Sequence, residues 1–162
     1  MTKYESTVKR IYAPVDGVYA KFSDMTNLAT IRERLADPAF EQLVRQQAGD
    51  KVNDEQLAQL KSIVEKMQLE RDAATVDAGP MGTVSLRIVE RDEPKLVKFA
   101  AEGSPVPANL WIQLLPNGEG QTAMKVTLGA ELNFLMKQML KGKLQDGVER
   151  LADMLAMIGG SL

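Results

Sequence analysis

The sequence predicts an α+β fold in which a curved antiparallel sheet of about six strands wraps around a long terminal helix. Two observations carry that expectation. Near the end of the chain Leu140, Leu144, Val148, Leu151, Leu155 and Ile158 recur every three or four residues, which is one stripe of a helix about 25 residues or about 37 Å long. Before it, from Ala74 to Leu128, apolar residues recur at every second position in runs divided by polar turns, the pattern of an antiparallel meander rather than of strand–helix–strand units. A helix that long buries its stripe only if the sheet curves around it. Such a wrap encloses apolar volume, where small ligands bind.

The totals fit one domain over residues 1–162, large enough to bury a core without staples. Hydrophobic residues make up 44% and charged residues 26%, an ordinary globular composition. The net charge of −2 comes with no Lys/Arg cluster interleaved with aromatics, so nucleic acid is not an expected partner. Cysteine is absent, which excludes disulfides, thiolate nucleophiles and cysteine metal sites. Histidine is absent too, removing Ser-His and Cys-His nucleophile pairs, imidazole bases and the commonest metal ligand. Neither a metal nor a cofactor is therefore expected. The charged N-terminus has no apolar signal core, and no window nears 18 consecutive apolar residues. A cytoplasmic protein with no membrane span is the default expectation.

Along the chain, residues 3–13 predict a first strand. Val8 and Ile11 lie three positions apart, so the strand carries a bulge or lies at an edge. Pro14 suits the first turn of a helix, and Val15, Val18, Tyr19, Phe22 and Met25 follow at helical spacing to about Asp24. Asn27 to Leu35 predicts a second short helix. Residues 37–70 form a helical insertion: Asp37-Pro38 is an N-cap with proline behind it. Phe40, Leu43 and Val44 stripe one helix there; Leu57, Leu60, Val64 and Met67, with Ile63 beside them, stripe the next. From 37 to 72 there are eight acidic against five basic residues, a solvated outer face or an acidic docking surface.

From Arg71 the period is two. Runs at 74–78, 84–88, 96–102, 110–114 and 122–128 are separated by turns at 79–82, 91–94, 104–107 and 116–120. Two frames fit the strand holding Trp111. In one, Leu110, Ile112 and Leu114 face the enclosed volume and Trp111 faces solvent or the inserted helices. In the other, Trp111 and Gln113 line the volume. Gly142 and Gly147 also allow two readings: a continuous helix with something compensating them, or a break into two shorter helices.

The order of elements resembles the START-like or SRPBCC superfamily, the helix-grip fold shared with polyketide cyclases and the birch-pollen allergen group. Ala13-Pro14 with Val18-Tyr19 and Phe22-Ser23-Asp24 looks like that superfamily's opening signature. Gly79-Pro80-Met81-Gly82-Thr83-Val84, followed by Val89-Glu90-Arg91-Asp92-Glu93-Pro94, looks like its middle hairpin. The resemblance covers about 3–35 and 71–158. It departs at 37–70, where many members pass through a tryptophan-containing loop into a strand. What it implies is a pocket between sheet and last helix that takes lipids, sterols or polyketides, with cyclisation or dehydration in some members. It supplies no catalytic residues to carry over.

The leading expectation is binding of a hydrophobic small molecule, lipid-like or polyketide-like. Its lining would come from Val84, Leu86, Ile88, Phe99, Ile112, Met124 and Val126 on the sheet, and from Met136, Met139, Leu140 and Leu144 on the helix. Met136, Met139, Met154 and Met157 offer an adaptable lining or plain packing. Of the polar residues, Tyr12, Tyr19, Lys98, Asn109, Gln113 and Lys125 are the candidates to orient a ligand, though period-two counting puts Lys98 and Lys125 on the opposite face. A cyclase or dehydratase with a buried, partnered acid, tyrosine or lysine is the second reading. The third is an interaction module that meets a protein partner or a second copy through the inserted helices or the exposed sheet face.

Overall fold

The computed structural model describes residues 2–27, 65–77, 82–104, 106–140 and 142–161, except the side chains of Met157 and Ser161. It also describes Ala29, Glu33, Asp37–Ala39, Gln42, Gln46, Glu55, Ala58 and Ser62. One antiparallel sheet of eight strands contains β1 (Thr2–Glu5), β2 (Lys9–Ile11), β3 (Gln68–Leu69), β4 (Ala73–Asp77), β5 (Thr83–Asp92), β6 (Leu96–Glu102), β7 (Ala108–Pro116) and β8 (Thr122–Ala130). Their order is β1-β8-β7-β6-β5-β4-β3, and β2 pairs with β8 beyond the end of β1. The helices described in full are α1 (Val15–Phe22), α2 (Phe134–Leu140) and α3 (Lys143–Ser161).

The count exceeds six for two reasons. The first expected strand splits, and residues 68–69 pair with β4 where the spacing predicted the end of a helix. The split has a local cause at Ser6. Its amide donates to the Val126 carbonyl at 2.8 Å, but the Val126 amide donates to the Ser6 hydroxyl at 2.9 Å rather than to a backbone carbonyl. The side chain takes over one ladder position and the backbone leaves the strand. This resolves the untidy phase of the sequence: Val8 is exposed, whereas Ile11 is buried against the core.

Pro14 holds the N-cap of α1 rather than its first helical position. Its backbone is extended, and its carbonyl accepts the Val18 amide at 3.0 Å. The helix then buries Val18, Tyr19 and Phe22, leaving Met25–Asn27 as one 3₁₀ turn. At the other end of α1, Arg91 donates twice to the Ser23 carbonyl, at 3.0 and 2.8 Å, and bonds Asp72 at 2.6 Å. A β-bulge at Val89 makes this geometry available, because it shifts the phase of β5 so that Arg91 pairs with the inward-facing Val97. A guanidinium on the terminal carbonyls of a helix also complements its dipole.

Of the expected insertion, Asp37 does cap: its carboxylate accepts the Ala39 amide at 2.9 Å. Pro38, Ala39, Gln42, Gln46, Glu55, Ala58 and Ser62 are helical. The stripes Phe40, Leu43, Val44 and Leu57, Leu60, Ile63, Val64 lie outside the described residues. Of the two readings open for the terminal stretch, the break is the one observed: it is two helices. Gly142 adopts φ of +81°, which ends α2. α3 alone packs on the sheet, with Val148, Ala152 and Ile158 buried in the core.

Two glycines in α3 face opposite circumstances. A Cβ on Gly147 would meet nothing within 4 Å, whereas one on Gly159 would lie 3.2 Å from two Ile11 carbons and 3.3 Å from Phe22. Gly147→Ala should therefore raise unfolding free energy by about 0.5–1 kcal/mol. Gly159→Ala should lower it by about 1 kcal/mol through overpacking. Urea denaturation of the two variants checks both signs.

Candidate functional site

The ladder registers sort the inward-facing side chains into rows across the sheet. One row pairs Val97 with Ile112 and Val126, and the next pairs Ile88 with Phe99, Leu110, Leu128 and Tyr4. One step further along the strands the row becomes Ala74, Leu86, Ala101, then Ala108 and Ala130. Beyond it Val76 pairs with Val84. In the row that begins at Ala74, four of the five residues are alanine, with Leu86 between Ala74 and Ala101.

Burial differs along the strands, although Ala74 and Ala130 at the two sides of the alanine row are themselves buried. Val97, Leu114, Met124 and Val126 are all 0% exposed. That end is closed by Val18, Tyr19 and Phe22 of α1 and by Ile158 of α3. Toward the alanine row, Val76, Val84, Leu86, Ala101, Ala108 and Leu128 are all only half-buried. An apolar face that is sealed at one end and incompletely covered at the other has the form of a pocket mouth.

The residues expected to line a pocket divide between these ends. Ile88, Phe99, Ile112, Met124 and Val126 lie in the sealed core, and Val84 and Leu86 at the half-covered end. Met136, Leu140 and Leu144 are half-buried on α2 and α3, while Met139 is exposed. The inward face also holds Tyr4, the four alanines Ala74, Ala101, Ala108 and Ala130, and Leu128, none of them among the residues expected to line a pocket. The signal for the alanines was present, since period-two counting puts Ala101 beside Phe99, but their small size was the informative property. Tyr4 was hidden by the break at residues 6–8.

The polar candidates fall elsewhere. The register assigns Trp111 to the outer face with Gln113, as the first of the two frames required. The Lys3 and Lys98 ammonium groups lie 5.1 and 5.3 Å from the Trp111 ring centroid. Lys125 pairs with Glu5 on that face at 2.8 Å, and Asn109 donates to the Phe99 carbonyl at 3.3 Å. Tyr12 is exposed. Tyr19 is buried at the closed end, where burial and the nearby Glu93 carboxylate push its phenol above the ordinary value.

Comparison with solved structures aligns the chain with norcoclaurine synthase from Thalictrum flavum in complex with dopamine and hydroxybenzaldehyde (TM-score 0.64, 12% identity, 97% of this chain and 85% of that one). It also aligns with a START superfamily protein from Mycobacterium smegmatis (TM-score 0.57, 12% identity, 96% and 95%) and with a protein from Thermobifida fusca (TM-score 0.58, 15% identity, 98% and 93%). The fold is the START-like helix grip. Identities this low are a likeness of fold alone. No family profile matches the sequence, and no curated protein matches it.

In this START-like fold the grip is fastened along one seam. Lys9, inward-facing opposite Met124, reaches Glu149 at 2.7 Å and Asp153 at 2.9 Å, one turn apart on α3. Glu149 also accepts the Thr7 amide and, at 3.2 Å, the Thr7 hydroxyl. Burial pulls the Lys9 pKa down, but the bonds and charges of Glu149 and Asp153 together outweigh it and leave the ammonium above its ordinary value. The hydrogen bonds from Lys9 and Thr7 hold the Glu149 carboxyl below the usual range. At the far end of α3, Lys21 donates to the Gly159 carbonyl at 2.9 Å, and burial lowers its pKa. Among the described residues no group of acidic side chains is placed to hold a metal ion, and no helix is long and apolar enough to cross a membrane.

A carboxyl with a depressed folded pKa contributes stability above its unfolded pKa and loses it as pH falls through the folded value. Lys9, raised, contributes below its unfolded pKa and loses it only as pH rises through its folded value. Replacing Glu149 by Gln should therefore lower the melting temperature at neutral pH and flatten its decline in acid. Thermal melts of both proteins from neutral pH down through the carboxylate range measure this.

Proposed function

We propose that the protein binds a hydrophobic small molecule between the alanine-lined end of the concave sheet face and the terminal helices. The observation that carries this reading is the coincidence of small side chains with incomplete burial at Ala101 and Ala108, beside the half-buried Leu86, Val84 and Leu128. Buried ligand area there would be worth roughly 25 cal/mol per Å² before the costs of association. The Tyr4 hydroxyl, on the Leu128 row, would orient the ligand in this reading. A molecule of lipid or polyketide class fits an apolar site with so few polar groups. A protein of the same fold in complex with dopamine and hydroxybenzaldehyde supports ligands of small size.

The cyclase or dehydratase alternative asks for a partnered acid or base at the same place. The inward-facing Lys9 and Arg91 are instead each engaged in fastening a helix. This favours binding over catalysis.

Gently purified protein should carry a small molecule visible in native mass spectrometry and removable by organic solvent. Ala101→Phe tests the volume directly. In an open pocket the ring fits, so the melting temperature holds or rises. Affinity for the apolar dye anilinonaphthalene sulfonate should then fall by about tenfold, equivalent to about 1.4 kcal/mol. If the space is already packed, the wild type binds no dye and the variant loses about 1–3 kcal/mol of stability, which would falsify the proposal.

A further inference from the structure

α2 buries none of its residues. Phe134 is 77% exposed, and Leu135 and Met139 are each 66% exposed. Large apolar side chains at this exposure in one short helix are unlike the single hydrophobic residues scattered elsewhere on the surface, such as Val8 and Val89. Charge is equally local. The chain as a whole carries −2, yet residues 132–145 hold Lys137, Lys141 and Lys143 and no acidic residue. Lys137 and Lys143 are exposed. Basic side chains interleaved with outward apolar ones form the pattern of an element lying in a lipid–water interface.

We propose that α2 docks the protein on an anionic lipid bilayer, with Phe134, Leu135 and Met139 inserted among the acyl chains and the flanking lysines on lipid phosphates. Charge complementarity selects this occupant. Size agrees, because three side chains offer on the order of a few hundred Å², well below the roughly 800 Å² per partner of a specific protein interface. A bilayer needs no such area, since an amphipathic segment penetrates only about 5–10 Å. The positive φ of Gly142 separates α2 from α3, so insertion leaves the packed helix in place. Ala130, at the end of the alanine row, is joined to α2 by only Glu131–Asn133, so docking brings the proposed mouth to the lipid. That last placement rests on the ligand reading above; adsorption to the bilayer does not.

The test is flotation with vesicles of phosphatidylcholine, alone or containing about one third phosphatidylglycerol. The full chain should float with the anionic vesicles, less at high salt, and only weakly with neutral ones. The double variant Phe134→Ser/Leu135→Ser and the double variant Lys137→Glu/Lys143→Glu should each reduce bound protein by about tenfold. Both pairs are exposed, so circular dichroism should show folding unchanged. Ala101→Phe should still float, which separates a failure of the pocket reading from a failure of this one. Absence of flotation, equal binding to neutral vesicles, or binding that survives both double variants overturns the proposal. A concentration-dependent dimer dissolved by the serine pair gives the face to a second copy instead and overturns it too.

Discussion

The break in the edge strand and the carboxylate of Glu149 depend on each other, and the fold is organised around that dependence. Where the backbone leaves β8 at residues 6–8, its amides lose ladder partners, and an unpaired buried backbone group is costly. The Ser6 hydroxyl accepts the Val126 amide of β8 that the departing strand leaves behind, and Glu149 of α3 accepts the Thr7 amide. The same break changes the phase of the strand and turns Lys9 inward beneath α3. A side-chain amide completes the seam, Gln145 donating to the Glu5 carbonyl at 2.7 Å. With α3 fixed along β1 and β2, its far end can only press against Ile11 and Phe22, where glycine admits the approach.

Closure of one end of the sheet follows from this placement. α1 covers the middle strands at that end, tied by Arg91 at its C-terminus, and the side chains beneath are the bulky ones. Among the described residues, the opposite end carries the alanines, with Leu86, Val84 and Leu128 half-buried beside them. The outer face is stabilised separately by ion pairs and by the Lys–Trp–Lys stack, so its chemistry is independent of what the inner face holds. Binding at the half-covered end is consistent with this division, because among the described residues the ties of Lys9, Lys21 and Arg91 lie elsewhere.

Much of the architecture was legible in the sequence because it rests on periodicity. Alternation in β5 to β8 placed Ile88, Phe99, Ile112 and Val126 on one face, and the α3 stripe marked Val148 and Ile158. What escaped was set by single side chains acting on backbone. Ser6 replaces a ladder acceptor and splits the first strand. The break at Gly142 was legible as one of two readings, and its positive φ decides for it although Leu140 and Leu144 keep helical spacing across it. At the candidate site, hydrophobicity located the inward face but not the grouping of small residues on it. The small residues come together only when register sets Ala101, Ala108 and Ala130 side by side, with Ala74 across Leu86.

The junction at Gly142 also divides the C-terminal region into two regimes of motion. α3 is bound to the core by buried side chains and charge pairs, so its amides exchange with solvent water only through large-scale opening. α2 has no buried residue, and its seven residues are too few to sustain a helix by themselves. Its opening and closing is therefore a local equilibrium, uncoupled from global unfolding. The apolar stripe that reads as one helix in sequence is thus divided at Gly142 between a segment with no buried residue and a packed one.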